Sequence, residues 1–442
     1  MGKLKIGLWP LIFFLFSWTV CQAGLDEELA AEIARIKTLG EPITLEELVP
    51  KPLPKEENAA FVYRQAFSLK EELKKKYAKT WKNLPYEGTM LWQELPGIEK
   101  DKIVALLLDQ QDFQTLYALI EKAVEMKCQF LAQADYEKAA ARLLPHLNEM
   151  RSLVRLVAAR MTAYDYRGKP VKSLENSLVG LKLSQAFSRE PLLVTSLVRM
   201  AMDEVILNRL EECWISAPQE LIRSLQNLIG EKRKENLIYQ GLLGERVLYG
   251  LKEIERQAIC SPREGARNPG IEAIFPNPLT PEEARNFWKR QQLIYFRFMS
   301  LCLEMAKNPY WIIRDKLNQT FSEINNLPDL KGVITKQLLS PLKRAFLTEA
   351  SYKARLGLAS LALACCLYRL KSGNYPLSLE ELAPEFFSEL PLDPFTGQKY
   401  HYRVTELGFL IYSVGQDGQD DGGQKGKPGQ EEKGDIVWEV RR

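Results

Sequence analysis

The residues best suited to chemistry lie near the end of the chain. Between Gly415 and Asp435 the sequence places Asp417, Asp420, Asp421 and Asp435 among seven glycines. A hard divalent cation of the calcium type takes about 6–8 oxygen ligands at ~2.3–2.6 Å, from carboxylates and backbone carbonyls. Glycines let the backbone fold tightly enough to turn carbonyls inward. The spacing is not that of an EF-hand: Asp417, Asp421 and Gly422 fit positions one, five and six, but Gln419 and Pro428 occupy positions three and twelve. The same composition also fits an acidic loop without metal, because Lys425, Lys427 and Lys433 dilute its charge.

Little else in the chain reads as catalytic. Its only histidines are His146 and His401, each in a helical or strand pattern where a structural role is the commoner one. No G-x-S-x-G, H-E-x-x-H, C-x-x-C or G-x-x-x-x-G-K-[ST] occurs, so serine-hydrolase, zincin, thioredoxin-type and P-loop chemistries lack their usual signatures. Paired carboxylates drawn from distant positions of the helical body remain the alternative enzymatic reading, as in a polysaccharide- or envelope-acting enzyme. A net charge of +3 over 442 residues points to neither nucleic acid nor a membrane surface as partner.

The elements around the acidic loop change character near residue 372. A helical pattern from about Ala345 to Leu370, with Leu356, Ala359, Leu363 and Leu367 on one face, ends at Ser372-Gly373. Ser378-Leu379-Glu380-Glu381 has the capping-box form, and Leu390 to Gly397 is turn-rich. Lys399–Val404, Phe409–Val414 and Ile436–Val440 read as three strands.

Upstream, helices dominate. Leu25–Leu39 is amphipathic and stops at Gly40, and Thr44-Leu45-Glu46-Glu47 is a capping box. Pro191 suits a first helical turn. Leu237 to Ile259 reads as one long helix, and Thr280-Pro281-Glu282-Glu283 starts another whose Phe287, Trp288, Ile294, Tyr295, Phe298 and Met299 form an aromatic core stripe. The lysines from Lys70 to Lys82 read as a solvated face. Cys260 to Leu279 is proline-rich and marks a possible internal boundary at 260–279.

Residues 1–23 read as a signal peptide: Lys3 and Lys5, an apolar run of 13 residues from Leu8 to Val20, then Ala23 before the cleavage point. The run is shorter than the ~20 residues of a spanning helix, so the mature chain is expected to have no integral membrane span. An uncleaved anchor and lipid attachment at Cys21 stay open. Export makes disulfides available to the six remaining cysteines, but six in so long a chain, mostly in helical patterns, favour buried free thiols over bridges.

The stretch 363–440 resembles the periplasmic domain of the major pseudopilin of type II secretion systems. The resemblance rests on Gly373-Asn374-Tyr375-Pro376, Leu379-Glu380-Glu381-Leu382, Leu390-Pro391-Leu392-Asp393-Pro394-Phe395 and Tyr400-His401-Tyr402. It continues through Tyr412-Ser413-Val414-Gly415-Gln416-Asp417-Gly418 to Gly434-Asp435-Ile436. It implies a calcium-binding loop between the last strands, with Asp417 and Asp435 at matching positions and Ser413 at the matching strand end. Asp420 and Asp421 complete the candidate set, although the loop is longer than is usual in that family between Gly423 and Gly434. The chain departs from pseudopilins at its start: the fifth residue after Gly7 is Ile12 rather than Glu, and the mature part opens on Asp26-Glu27-Glu28. Pseudopilin-like polymerisation is therefore not expected. The whole chain also resembles a group of bacterial exported proteins sharing Gly40-Glu41-Pro42 and Asn58-Ala59-Ala60.

The expected architecture is mainly α. A helical bundle or irregular α-solenoid body (24–340) precedes a small α+β domain (341–442) of one long helix and a three-stranded antiparallel sheet, carrying the acidic loop 415–435. The expected role is non-catalytic: an exported periplasmic or extracellular scaffold with a protein partner in the cell envelope or secretion machinery.

Overall fold

Local signals explain where several helices begin and end. A computed structural model describes residues 24–88, 91–132, 135–136, 144–211, 217–253, 280–427 and 433–441. The signal region 1–23, the possible boundary 260–279, Cys21, Cys213 and Cys260 lie outside the described residues. The first helix, Leu25–Thr38, is closed by Gly40 at φ 68°, a left-handed conformation that costs glycine least. At Thr44 and Thr280 both halves of the reciprocal capping box form, with Glu47 and Glu283. Pro145, Pro170 and Pro281 occupy first-turn positions, where a missing N–H costs nothing.

Two expectations are corrected by packing. Pro191 does not start a helix; Leu193–Leu210 begins after an extended Leu192. Here the chain runs against the helix Leu237–Glu245 so closely that a Cβ on Gly244 would stand 1.7 Å from the Pro191 carbonyl oxygen. Of the long helix expected over Leu237–Ile259, Leu237–Glu245 is α-helical and Arg246–Glu253 continues as π-helix, while 254–259 lie outside the described residues. That segment turns Arg246 fully inward to Glu41, at 2.7 Å. A wide turn of this kind re-aims a side chain without breaking the element.

The lysine run is corrected at one member. Lys74, Lys75, Lys76, Lys79 and Lys82 are exposed, but Lys70 is buried, with Glu149 at 2.6 Å and Glu71 at 2.9 Å. It occupies the inward face of Ala60–Lys76 with Tyr63, Ala66 and Leu73. Helical period, not composition, decides its side.

The molecule is mainly helical, with a three-stranded antiparallel sheet near the C-terminus. One hydrophobic core runs from Ile36 to Val440 and takes in the aromatic stripe, where Trp288, Tyr295, Phe298 and Met299 are buried. The helix Leu342–Ser372 is the spine. It lies against Gln219–Lys234 and Leu193–Leu210, and it also packs against strands β2 (Gly408–Ser413) and β3 (Ile436–Arg441). It ends on Gly373 at φ 85°. The order is β1-β2-β3, with strand β1 (His401–Thr405) and β3 at the two edges. His401 faces Tyr412, and Ser413 faces Ile436.

Sheet and spine meet at a contact only glycine permits. A Cβ on Gly357 would stand 2.2 Å from the Tyr400 hydroxyl, which donates to the Ala354 carbonyl at 3.3 Å. Deeper in the body, Lys232 and Asp203 form a fully buried pair at 3.0 Å. Lys232 also donates to Ser184 at 2.7 Å, and Tyr352 to Asp203 at 2.6 Å. Of the cysteines, Cys128, Cys302, Cys365 and Cys366 are buried free thiols.

Candidate metal centre

The pleat of β2 sets the site's floor. Phe409 and Ile411 point to the spine side and join the main core. Alternation sends Leu410 and Tyr412 to the other face, where they cluster with Val437. The acidic loop folds back over that second face: a Cβ on Gly423, at φ 83°, would stand 2.6 Å from a Leu410 methyl and 3.2 Å from the Tyr412 ring. The backbone closes the loop further, as Asp435 N–H donates to the Gln424 carbonyl at 2.9 Å. Gly415, Gly418 and Gly422 also take positive φ, at 72°, 71° and 69°. Lys425 ties the loop to the helical body through Glu211 at 3.1 Å.

Asp435 sits at the centre. Its side chain is buried. Oδ2 accepts the Gly423 N–H at 2.6 Å, and the Asp421 N–H also bonds the carboxylate. Oδ1 is buried with no partner. Burial, with Asp420 and Asp421 adding repulsion, pushes the Asp435 carboxyl above its usual range. Asp420 is exposed and held below its usual range, chiefly by the Gly422 N–H at 2.9 Å, with the Tyr412 hydroxyl at 3.0 Å. His401 stacks on Tyr412 at 4.7 Å and places Nδ1 3.7 Å from Asp420.

The other expected residues are placed differently. Asp417 is exposed and closes a local turn by accepting the Gln419 N–H at 3.1 Å. Asp421 is exposed. Ser413 is fully buried; it accepts the Gly415 N–H at 3.3 Å and hydrogen-bonds Asp393. Among the described residues, no three His, Cys, Asp or Glu side chains gather as a ready metal cluster.

Asp393 is the residue the sequence reading passed over. It accepts the Phe395 N–H at 2.9 Å and the Val414 N–H at 3.2 Å, so it pins the turn Leu392–Gly397 to the start of the acidic loop. The signal for it was the Asp-Pro pair, a turn dipeptide whose carboxylate bonds backbone two residues on.

Asp435 Oδ1 is a buried carboxylate oxygen without a partner, and the charges of Asp420 and Asp421 act on it, while Gly423, Gly422 and Tyr412 offset part of the negative charge. All side-chain donors are oxygens, which suit calcium or magnesium rather than zinc or copper.

In the helical body, buried acids serve as structural partners. Glu41 receives Arg246, Tyr239 at 3.1 Å and Lys307 at 2.8 Å. Glu349 caps the N–H groups of Leu237 and Ile238 at 2.8 and 3.2 Å. Glu190 lies 3.2 Å from His146, whose ring stacks on Phe130 at 4.8 Å. Burial pushes Glu245 up to about 7, against a hydrogen bond from the Leu193 N–H.

Comparison with family models, curated proteins and solved structures gives no match. Among the described residues, no helix is long and apolar enough to cross a membrane.

Proposed function

We propose that this chain is an exported, non-catalytic contact protein of the cell envelope, whose C-terminal, pseudopilin-like region is fastened by calcium. The observation that carries the reading is the Asp435 carboxylate, buried with one oxygen unpartnered beneath a loop bearing Asp420 and Asp421. Asp435 and Asp420 are the side chains best placed to hold the ion, with Asp421 beside them. Calcium would supply a positive charge at Asp435, where, among the described residues, none of the loop's lysines is paired. Ordering the loop would also order the strand ends that Ser413 and Ile436 pair, since the loop leaves one and returns to the other.

The partner reading rests on the sequence. The leader-like start points to export, and the pseudopilin-like motifs point to secretion or envelope machinery. Chemical cross-linking of the full chain to envelope fractions, with calcium and with chelator, tests it. A discrete cross-linked partner in calcium that is lost in chelator is expected. Labelling that is equally diffuse in both conditions would overturn it.

A further inference from the structure

A second site lies away from the acidic loop and rests on none of its residues. A cavity of about 510 Å³ opens between the end of Gln219–Lys234, the start of Tyr310–Asn325, the spine helix and the segment Leu390–Pro394. Its volume falls in the ~300–1,000 Å³ range of small-molecule sites. Four cations line it: Arg233, Lys234, Lys307 and Lys353. Lys307 is neutralised by Glu41 at 2.8 Å. Among the described residues, Arg233 makes no ion pair or hydrogen bond. Burial pulls its guanidinium below the usual range, with Tyr400 acting the other way. A guanidinium stays charged in proteins, so a half-buried one without an ion pair is free to take an anion.

None of the surrounding acids pairs with Arg233. Glu349 uses one carboxylate oxygen for two backbone N–H groups of the neighbouring helix and feels the charge of Lys353, and Glu235 is paired with Arg199. Glu389 stands exposed at the rim. The helix Tyr310–Asn325 begins at Pro309 with no side-chain cap, so its positive end also opens on the cavity. Tyr310, Trp311, Ile313 and Phe346 supply a ring-rich apolar wall.

We infer that this cavity binds a small organic anion: a phosphate or carboxylate head held by Arg233 and Lys353, on a ring or apolar body resting against Tyr310 and Trp311. A guanidinium fork matches either head through paired hydrogen bonds, and the ring-lined wall selects against simple inorganic ions.

The test is calorimetric titration of the full chain with phenyl phosphate, benzoate and neutral benzyl alcohol. Saturable one-to-one binding of at least one anion is expected, with none for the alcohol; the tighter anion tells phosphate from carboxylate. Arg233→Met is expected to weaken that binding by about tenfold or more, the effect of one charge-assisted hydrogen bond. Lys353→Gln is expected to weaken it in the same direction. Because Arg233 is unpaired, Arg233→Met is also expected to melt no lower than the wild type without ligand. Failure of both anions to bind at millimolar concentration would overturn the inference, as would equal binding of the alcohol. Unchanged affinity in both variants would do the same.

Discussion

Replacing Asp435 by Asn isolates the feature on which the calcium reading depends. In the calcium-free protein the wild-type carboxylate has one buried oxygen without a partner, a deficit of about 1–3 kcal/mol. Asn keeps an oxygen for the Gly423 N–H and removes the charge that Asp420 and Asp421 repel. Without calcium, Asp435→Asn is therefore expected to melt within about 1 °C of the wild type or above it. The pH dependence has a definite sign. The folded carboxyl sits above its unfolded value, so it favours the fold when protonated and weakens it as pH rises through the folded value. The variant should lose that slope. With calcium at a hundred times its dissociation constant, the wild type should gain ~2.7 kcal/mol. Spread over the unfolding entropy of 442 residues, this amounts to a rise of about 3 °C if the chain unfolds as one unit. The assay is calorimetric melting of both proteins in calcium and in chelator. A wild type that melts identically in the two conditions refutes the reasoning, and so does a variant that keeps the full calcium shift.

Other perturbations test the scaffold. Lys232→Met strands Asp203 in the core and should cost about 3–5 kcal/mol in denaturant unfolding, while adding Asp203→Leu should restore most of it; a double variant no more stable than Lys232→Met would contradict this. Gly357→Ala drives a methyl into the Tyr400 hydroxyl and should destabilise by about 1–3 kcal/mol despite alanine's better helix propensity. Adding Tyr400→Phe should recover part of that loss, because the hydroxyl is the nearest atom. Glu245, pushed up to about 7, favours the fold when neutral, so stability should fall as pH rises through 7. Glu245→Gln should abolish that fall in melts between about pH 5.5 and 8.5, and an unchanged slope would show that another group is responsible.

Elements written by short-range chemistry were legible in the chain. Thr44 with Glu47 and Thr280 with Glu283 form the capping boxes that their spacing announced, and Glu381 accepts the Ser378 N–H at 3.1 Å as its spacing also announced. Gly373 closes the spine, and three strands lie within a residue or two of where alternation placed them. Each depends on groups within about four positions of one another, so no knowledge of the fold is needed. The acidic loop was visible as a composition, but its arrangement was not. The sequence could not rank four aspartates of one type, whereas folding the loop over Leu410 and Tyr412 buries Asp435 and leaves Asp417, Asp420 and Asp421 in water.

The chain alone thus determined a mainly helical protein with a small terminal sheet, its caps and stops, and a glycine-rich acidic loop between the last two strands. Tertiary structure alone decided that Lys70 turns inward to Glu149, that Arg246 crosses the core to Glu41, and that Arg233 lines a cavity without pairing to an acid. The physical reason is reach. Helix and turn signals act through the backbone over one or two turns, whereas the fate of a charge depends on what lies opposite. That partner is chosen by contacts 79 or 205 residues apart.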